Sequence, residues 1–308
     1  MIEAVVLGAG AGGGFPQWNS NTSGCVRARL GDPAAAPCTQ ASIAITTDRV
    51  HWFVLNASPD LRIQIERTPA LHPTGGLRST PITGVILTGG EVDTITGLLC
   101  LREGQPFRLL ATAQVLSRLD QNPIFEVVSR ALVPRIALTL DQPLMLMAPQ
   151  DDQSGLWVTG FPVPGKVPLY AEAGSPHPAN ASVDGETIGL DITDGVHRLV
   201  FVPGCALMTP ELRSRLDGAD CVFFDATLWR DDEMIQAGLG VKTGRRMGHM
   251  SISGAGGVFD SFRGLAIERK ILIHMNNSNP VLLADSVERR AVYDQGWDVA
   301  HDGMVVSL

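Results

Sequence analysis

The chain has little positive charge, and what it has is dispersed. Its 24 Lys and Arg residues are outnumbered by 32 Asp and Glu, for a formal net charge of -8, and no basic cluster exceeds Arg245-Arg246 or Glu268-Arg269-Lys270. Nucleic acids and anionic membranes both select basic surface, so neither is expected as a partner. Long hydrophobic runs are missing too. No stretch of 18 uncharged apolar residues occurs, and Glu3 stands where a secretory leader would be basic, so neither a membrane span nor an exported protein is expected. Cysteine is scarce: Cys25, Cys38, Cys100, Cys205 and Cys221 are odd in number and form no C-x-x-C pair. This argues against a disulfide framework and fits a reduced, cytoplasmic setting. Linkers, low-complexity tracts and repeats legible at residue level are absent as well. The 308 residues, 44% hydrophobic and 18% charged, are expected to form one domain, 1–308, with ample apolar surface for a core.

The first feature that is present is glycine. Gly8, Gly10 and Gly13 spell G-x-G-x-x-G after an apolar run that reads as a strand. A dinucleotide fingerprint would open a helix here and place an acid at a second strand end about 20 residues on. Instead the chain continues Phe15-Pro16-Gln17-Trp18-Asn19, without helical periodicity, and Asp32 lies in the loop-like GDPAAAP. The segment reads as a turn free of side chains, which another backbone or a ligand can approach closely.

Beyond it, SIAITT (42–47) and HWFVLNA (51–57) read as a hairpin, and LRIQIERTPAL as a helix with Ser58 or Asp60 as its cap. ITGVILT, FRLLAT, RIALTL and LWVTGFPV read as strands, TITGLLCLREG and AQVLSRLDQ as helices, and IGLDITDG with HRLVFVPG as a second hairpin. Thr209-Pro210-Glu211 starts a helix with proline in its first turn. CVFFDAT, KILIHMN and WDVAHDGMVVSL supply the remaining strands. Strands and helices in both halves, with several hairpins, predict an α/β sandwich of two mixed β-sheets flanked by helices.

Several apolar runs end in polar or small clusters: Asn56-Ala57-Ser58-Pro59-Asp60, Gly89-Gly90-Glu91-Val92-Asp93-Thr94, Pro203-Gly204-Cys205, Asp225-Ala226-Thr227 and His274-Met275-Asn276-Asn277. Turns prefer such residues anyway. Asp225 and His274, however, follow otherwise apolar runs, where a carboxylate or imidazole needs a partner. A site on loops at strand ends would have this pattern. His249 also reads as a helix cap near Ser251, Asp225 as an acceptor of loop N–H bonds, and Glu91 as a solvated loop carboxylate. His51, His72, His177 and His197 read as surface residues, His301 as structural, and Cys25 and Cys205 as small buried residues.

LTGGEVDTITGLL resembles the L-T-H-x-H-x-D-H-x-x-G-L-L metal loop of the metallo-β-lactamase superfamily. More narrowly, GGGFPQWN, LNASPDLR, GLLCLREGQPF, GKVPLY, FDAT, MGHMSISG and HMNNSNPVL, in this order, resemble the pyrroloquinoline quinone (PQQ) biosynthesis protein B family over essentially the whole chain. The resemblance implies a metallo-β-lactamase-like αββα sandwich, with the glycine-rich segment as a loop beside the site. It also implies candidate metal ligands Asp93, Asp225, His274 and His249, with Glu91 as a further carboxylate; Asp93, His249 and His274 would be the catalytic groups. Two departures stand out. Thr94 replaces an imidazole the family pattern carries, and the family's W-N-C-x-C-x-x-C here runs from Trp18 to Cys25 with Ser20 and Thr22 at thiol positions. One thiol cannot hold a four-coordinate ion, so no structural zinc is expected at the N-terminus.

Nitrogen and oxygen donors with open positions suit Fe(II), or a weaker Zn or Mn site. The resemblance implies a step in making PQQ, namely iron- and oxygen-dependent hydroxylation of the tyrosine ring of a Glu-Tyr-derived precursor. The expected partners are that peptide or amino-acid-derived precursor and molecular oxygen, with homodimer formation left open. Arg102, Lys166, Lys242 and Arg245 are the cations expected near an acidic substrate, and Asn56, Ser58, Asn276 and Asn277 are further contacts. The alternatives are a non-catalytic carrier of PQQ or its precursor and a metal-dependent hydrolase.

Overall fold

The computed structural model describes residues 1–148, 152–174 and 185–308; His177 lies outside them. Among the described residues the strands are β1 (Glu3–Gly8), β2 (Ser42–Thr46), β3 (Trp52–Leu55), β4 (Ile82–Ile86), β5 (Arg108–Thr112), β6 (Arg135–Leu138), β7 (Leu144–Met147), β8 (Gln153–Pro162), β9 (Ile188–Thr193), β10 (Arg198–Val202), β11 (Cys221–Asp225), β12 (Arg269–Ile273), β13 (Asp298–Val299) and β14 (Val305–Ser307). They form two sheets, ordered β14-β1-β2-β3-β4-β5-β6 and β13-β12-β11-β10-β9-β8-β7. Both sheets are mixed, as expected, and both follow one pattern. In the first, β14 to β3 pair antiparallel and β3 to β6 parallel. In the second, β7 to β10 pair antiparallel and β10 to β13 parallel. The repeat that residue identity conceals is thus present in topology.

Side-chain alternation along the strands builds the layers. Ile43, Ile45, Phe53, Leu55 and Ile86 join Leu190, Ile192, Phe201, Phe223 and Ile271 in one apolar cluster that takes in both sheets. The alternate residues Ala44, Trp52, Val54, Val85 and Leu87 pack with Leu61, Leu98, Val115 and Leu119 from helical segments on the other face. The second sheet is covered in the same manner, with Phe262 packed edge-on against Phe224 and Trp297, at ring separations of 4.7 and 4.8 Å. The result is the expected αββα sandwich.

Several local expectations need correction. TITGLLCLREG is not one helix: a short α-turn, Val92–Ile95, gives way to a 3-10 segment, Thr96–Leu101. The cause is the neighbouring loop. Ala57 N–H donates to the Thr94 carbonyl at 2.7 Å and Gly97 N–H to the Ala57 carbonyl at 2.8 Å, diverting groups a helix would use internally. Asp60 precedes the helix Leu61–Arg67, but its side chain does not cap it; Asp60 Oδ2 accepts from the Gln40 backbone and amide at 2.9 Å each. Strand β7 and the helix Val287–Asp294, capped by Ser286, were not anticipated. The cap of Pro210–Leu216 is as expected, with Thr209 Oγ1 accepting from Leu212 N–H.

The glycine-rich segment joins the two sheets. Gly10 N–H donates to the Thr39 carbonyl and Ala11 N–H to the Met275 carbonyl, each at 2.7 Å, while Met275 N–H returns a bond to Ala9. Asp302 anchors the same loop, accepting from Ala9 N–H, Thr39 N–H and Thr39 Oγ1. A Cβ on Gly8 would overlap the Gln40 carbonyl, and one on Gly12 would sit 3.3 Å from Asp93 Oδ2. Glycine is therefore required by backbone proximity, not by a phosphate. Gly8→Ala is expected to destabilise the protein by about 1–3 kcal/mol, the usual cost of overpacking, read as a lower urea midpoint. Gly75→Ala, whose Cβ would meet nothing within 4 Å, serves as the neutral control.

Candidate metal centre

Parallel strands carry all their carboxyl ends to one edge, and here both sheets present that edge to a common cleft of about 560 Å³. Its lining includes Asn56 after β3, residues 88–94 after β4, Pro203 and Gly204 after β10, Thr227 after β11, and His274 and Asn276 after β12. His249 comes from a loop behind Gly248, whose φ of 93° lies in the left-handed region. One donor atom each from Asp225, His249 and His274 lies within 4.8 Å of the others.

Asp225 is fully buried. Its Oδ1 accepts from Thr227 N–H at 3.0 Å and Thr227 Oγ1 at 2.7 Å. Its Oδ2 accepts from Cys205 N–H at 3.0 Å and His249 Nδ1 at 2.7 Å. A carboxylate offers about four acceptor sites, so all are in use. The two imidazoles stack, with centroids 5.1 Å apart and planes 20° apart. His274 Nε2 lies 3.2 Å from Asp93 Oδ2. Burial by itself would raise the Asp93 carboxyl, but the hydrogen bond and charge of His274, with the charge of His249, hold it below the usual range. For His274, burial disfavours the cation, yet Asp93, then Asp225 and Glu91, push its pKa up. Burial pushes the Cys205 thiol to about 12, so it supplies no thiolate at neutral pH.

These donors fit a divalent transition ion: two imidazoles and nearby carboxylates in a partly dry pocket are the chemistry such ions select. Glu91 is not among the converging donors. Its Oε1 lies 2.8 Å from Lys166 Nζ, and its Oε2 accepts from Leu169 N–H at 3.3 Å. Thr94 is buried at the cleft lining.

The expected substrate contacts divide. Lys166, Lys242, Asn56 and Asn276 line the cleft. Lys242 pairs with Glu172 at 3.3 Å, and Lys166 approaches the same carboxylate at 3.8 Å. Asn56 is held by Thr88, accepting from its N–H and donating to its hydroxyl at 2.9 Å each. Ser58, Arg102, Arg245 and Asn277 stand outside the lining. Ser58 is buried and donates to Gln64 at 3.0 Å, whereas Arg102 is exposed beside Glu103. Arg245 is exposed. Asn277 Nδ2 donates to Gln17 at 2.5 Å. Strand-end position alone does not distinguish a residue facing the cleft from one turned into the protein.

The most consequential residue that sequence reasoning passed over is Thr227, whose Oγ1 is 2.9 Å from His249 Nδ1 and 2.8 Å from His274 Nδ1. The available signal was its place two residues after Asp225. Tyr170 was also missed; its hydroxyl donates to the Gly90 carbonyl at 2.8 Å. At the N-terminus, Ser20 Oγ and Thr22 Oγ1 are 3.2 Å apart, Thr22 caps the helix Ser23–Arg29, and Cys25 Sγ donates to Asn277 at 3.7 Å. Hydroxyls that pair with each other and with a helix end are poor partners for a soft-ligand zinc site.

The family model described as the beta-lactamase superfamily domain matches residues 51–275, and with the αββα sandwich it defines a protein of the metallo-β-lactamase fold. Coenzyme PQQ synthesis protein B of Gluconacetobacter diazotrophicus is 64% identical over 307 residues, covering 100% of both chains. Its namesake from Gluconobacter oxydans is 55% identical, covering 100% of this chain and 99% of the other. The crystal structure of zinc-bound PqqB from Methylobacterium extorquens is similar at a TM-score of 0.95 and 45% identity, over 99% of this chain and 100% of that one. The chain belongs to the coenzyme PQQ synthesis protein B family.

The donor geometry makes a locating prediction. His249→Ala and His274→Ala should each weaken zinc binding by more than about 10–100-fold, since even losses beyond the ligands themselves cost that much. Cys25→Ser should leave metal stoichiometry unchanged. Metal analysis after dialysis against graded chelator reads both, and loss of zinc from Cys25→Ser would relocate the metal to the N-terminus.

Proposed function

We propose that the cleft carries out an oxidative step in PQQ biosynthesis, the iron- and oxygen-dependent hydroxylation of the tyrosine ring of a Glu-Tyr-derived precursor. The observation that carries this reading is the convergence of two imidazoles and two carboxylates, Asp225 and Asp93, in one cleft, on a chain 64% identical to a coenzyme PQQ synthesis protein B. His249, His274 and Asp225 would hold the ion, Asp225 by exchanging one of its four hydrogen bonds for a bond to the metal, with Asp93 directly beside His274. Fe(II), when bound, supplies the activation of dioxygen, while Zn or Mn would occupy the same donors without that redox chemistry. The chain's own contribution is to place the substrate. Lys166 and Lys242, paired with Glu91 and Glu172, line the cleft with Asn276, and an acidic precursor would compete with those carboxylates for the two ammonium groups. The packed glycine loop keeps side chains away from Asp93. We assign one domain, 1–308, and a cytoplasmic setting, in keeping with five free cysteines.

Two observations favour other readings. Zinc in the Methylobacterium extorquens relative favours a hydrolase, and Thr94 at an imidazole position favours a non-catalytic carrier. Anaerobic loading with iron, followed by oxygen, a Glu-Tyr dipeptide and a two-electron reductant that takes the second oxygen atom to water, separates them. The expected product gains one oxygen atom by mass spectrometry, and Thr94→His should tighten iron binding without abolishing turnover. A dipeptide returned unchanged by both proteins at every iron concentration, with PQQ or its precursor still bound, would establish the carrier. Cleavage supported by zinc would establish the hydrolase.

A further inference from the structure

Asp225 treats the two histidines differently. His249 Nδ1 reaches its carboxylate directly, at 2.7 Å. His274 Nδ1 is 3.9 Å from Asp225 Oδ1, beyond hydrogen-bond range, and Thr227 Oγ1 fills that gap, 2.8 Å from His274 Nδ1 and 2.7 Å from Asp225 Oδ1. A threonine hydroxyl has one proton to give and two lone pairs with which to accept. Asp225 Oδ1, 2.7 Å away, accepts the proton of the Thr227 hydroxyl. The Oγ1 lone pairs are then left for the histidines, so the proton between Thr227 and His274 resides on Nδ1.

We infer that Thr227 is a positioning residue that carries the orienting effect of Asp225 to His274. It keeps the proton on Nδ1, so that Nε2, the nitrogen hydrogen-bonded to Asp93, is the one that gives up its proton to bind the metal. The inference rests on the metal-binding reading of this site and adds a residue to it. His274 has particular need of such an anchor. It follows the last residue of β12 with φ 64°, a left-handed conformation outside regular strand geometry, so its ring direction depends on contacts at its nitrogens. His249 Nδ1 also lies 2.9 Å from Thr227 Oγ1 but has the shorter direct bond to Asp225 at 2.7 Å, so it is expected to be less affected than His274 by changes at Thr227.

The test compares wild type, Thr227→Val and Thr227→Ser by zinc affinity, in competition with a chromophoric chelator, and by ¹⁵N NMR of the histidine rings. Thr227→Val should bind zinc about 10–100-fold more weakly, the range for loss of an orienting partner, and His274 Nδ1 should lose its uniform protonated signal while His249 keeps its own. Thr227→Ser should restore both readouts, which a purely packing role for the γ-methyl would not allow. Wild-type affinity and an unchanged His274 spectrum in Thr227→Val would overturn the inference. Should the valine protein not fold, the wild-type spectrum still decides, because an unprotonated His274 Nδ1 refutes the assignment. A wild type that binds no zinc at His249 and His274 would refute the metal reading instead. Thr227 would then stand or fall on the His274 Nδ1 proton in the metal-free spectra of the three proteins.

Discussion

The buried carboxylate of Asp225 is the constraint around which the cleft is organised. A carboxyl group with no solvent contact is tolerated only when its polar atoms are hydrogen-bonded. Here four donors serve them: the backbone of Cys205 after β10, the backbone and hydroxyl of Thr227 after β11, and the ring of His249 from a distant loop. Those bonds fix the relative positions of three chain segments. The same saturation that makes Asp225 acceptable in the core also aims the groups around it.

The twofold repetition of topology explains why the site draws on both halves of the chain. Each sheet ends its parallel portion with polar loops at the carboxyl edge, and stacking the sheets brings β3 and β4 of one opposite β10, β11 and β12 of the other. Asp93 and His274, 181 residues apart, then meet across the cleft at 3.2 Å. The glycine loop ties this edge together by bonding at once to Thr39 and Ala41, just before β2, and to Met275, the residue after His274. Glycine, having no side chain, lets it pass between them.

Beside the histidines runs an alternating charge ladder in which Glu91, Lys166, Glu172 and Lys242 pair in turn, with Lys166 lying against Gly248. Glu91 is thereby paired with Lys166, and the two lysines sit within the cleft lining. Position in the loop after β4 made Glu91 and Asp93 look equivalent, but side-chain direction two residues apart separated them. Asp93 faces His274, while Glu91 faces the segment that contains Lys166.

Sequence alone determined what local chemistry can specify. Apolar, β-rich runs defined most strands, Thr209 with Pro210 marked a helix start, and the strand-end clusters singled out Asp93, Asp225 and His274, because polar groups ending buried strands stand out against their neighbours; His249 came from the resemblance to the family. Tertiary structure decided what depends on direction and on distant partners. It broke the helix after Asp93, because a loop from residue 57 competes for its backbone bonds. It turned Ser58 inward to Gln64 and left Arg102 in solvent, although both lie in segments that resemble the family. It placed Thr227 between two imidazoles that sequence spacing sets 22 and 47 residues away. Hydrogen-bond geometry across sheets is set by packing over the whole chain, and no local pattern of residues encodes it.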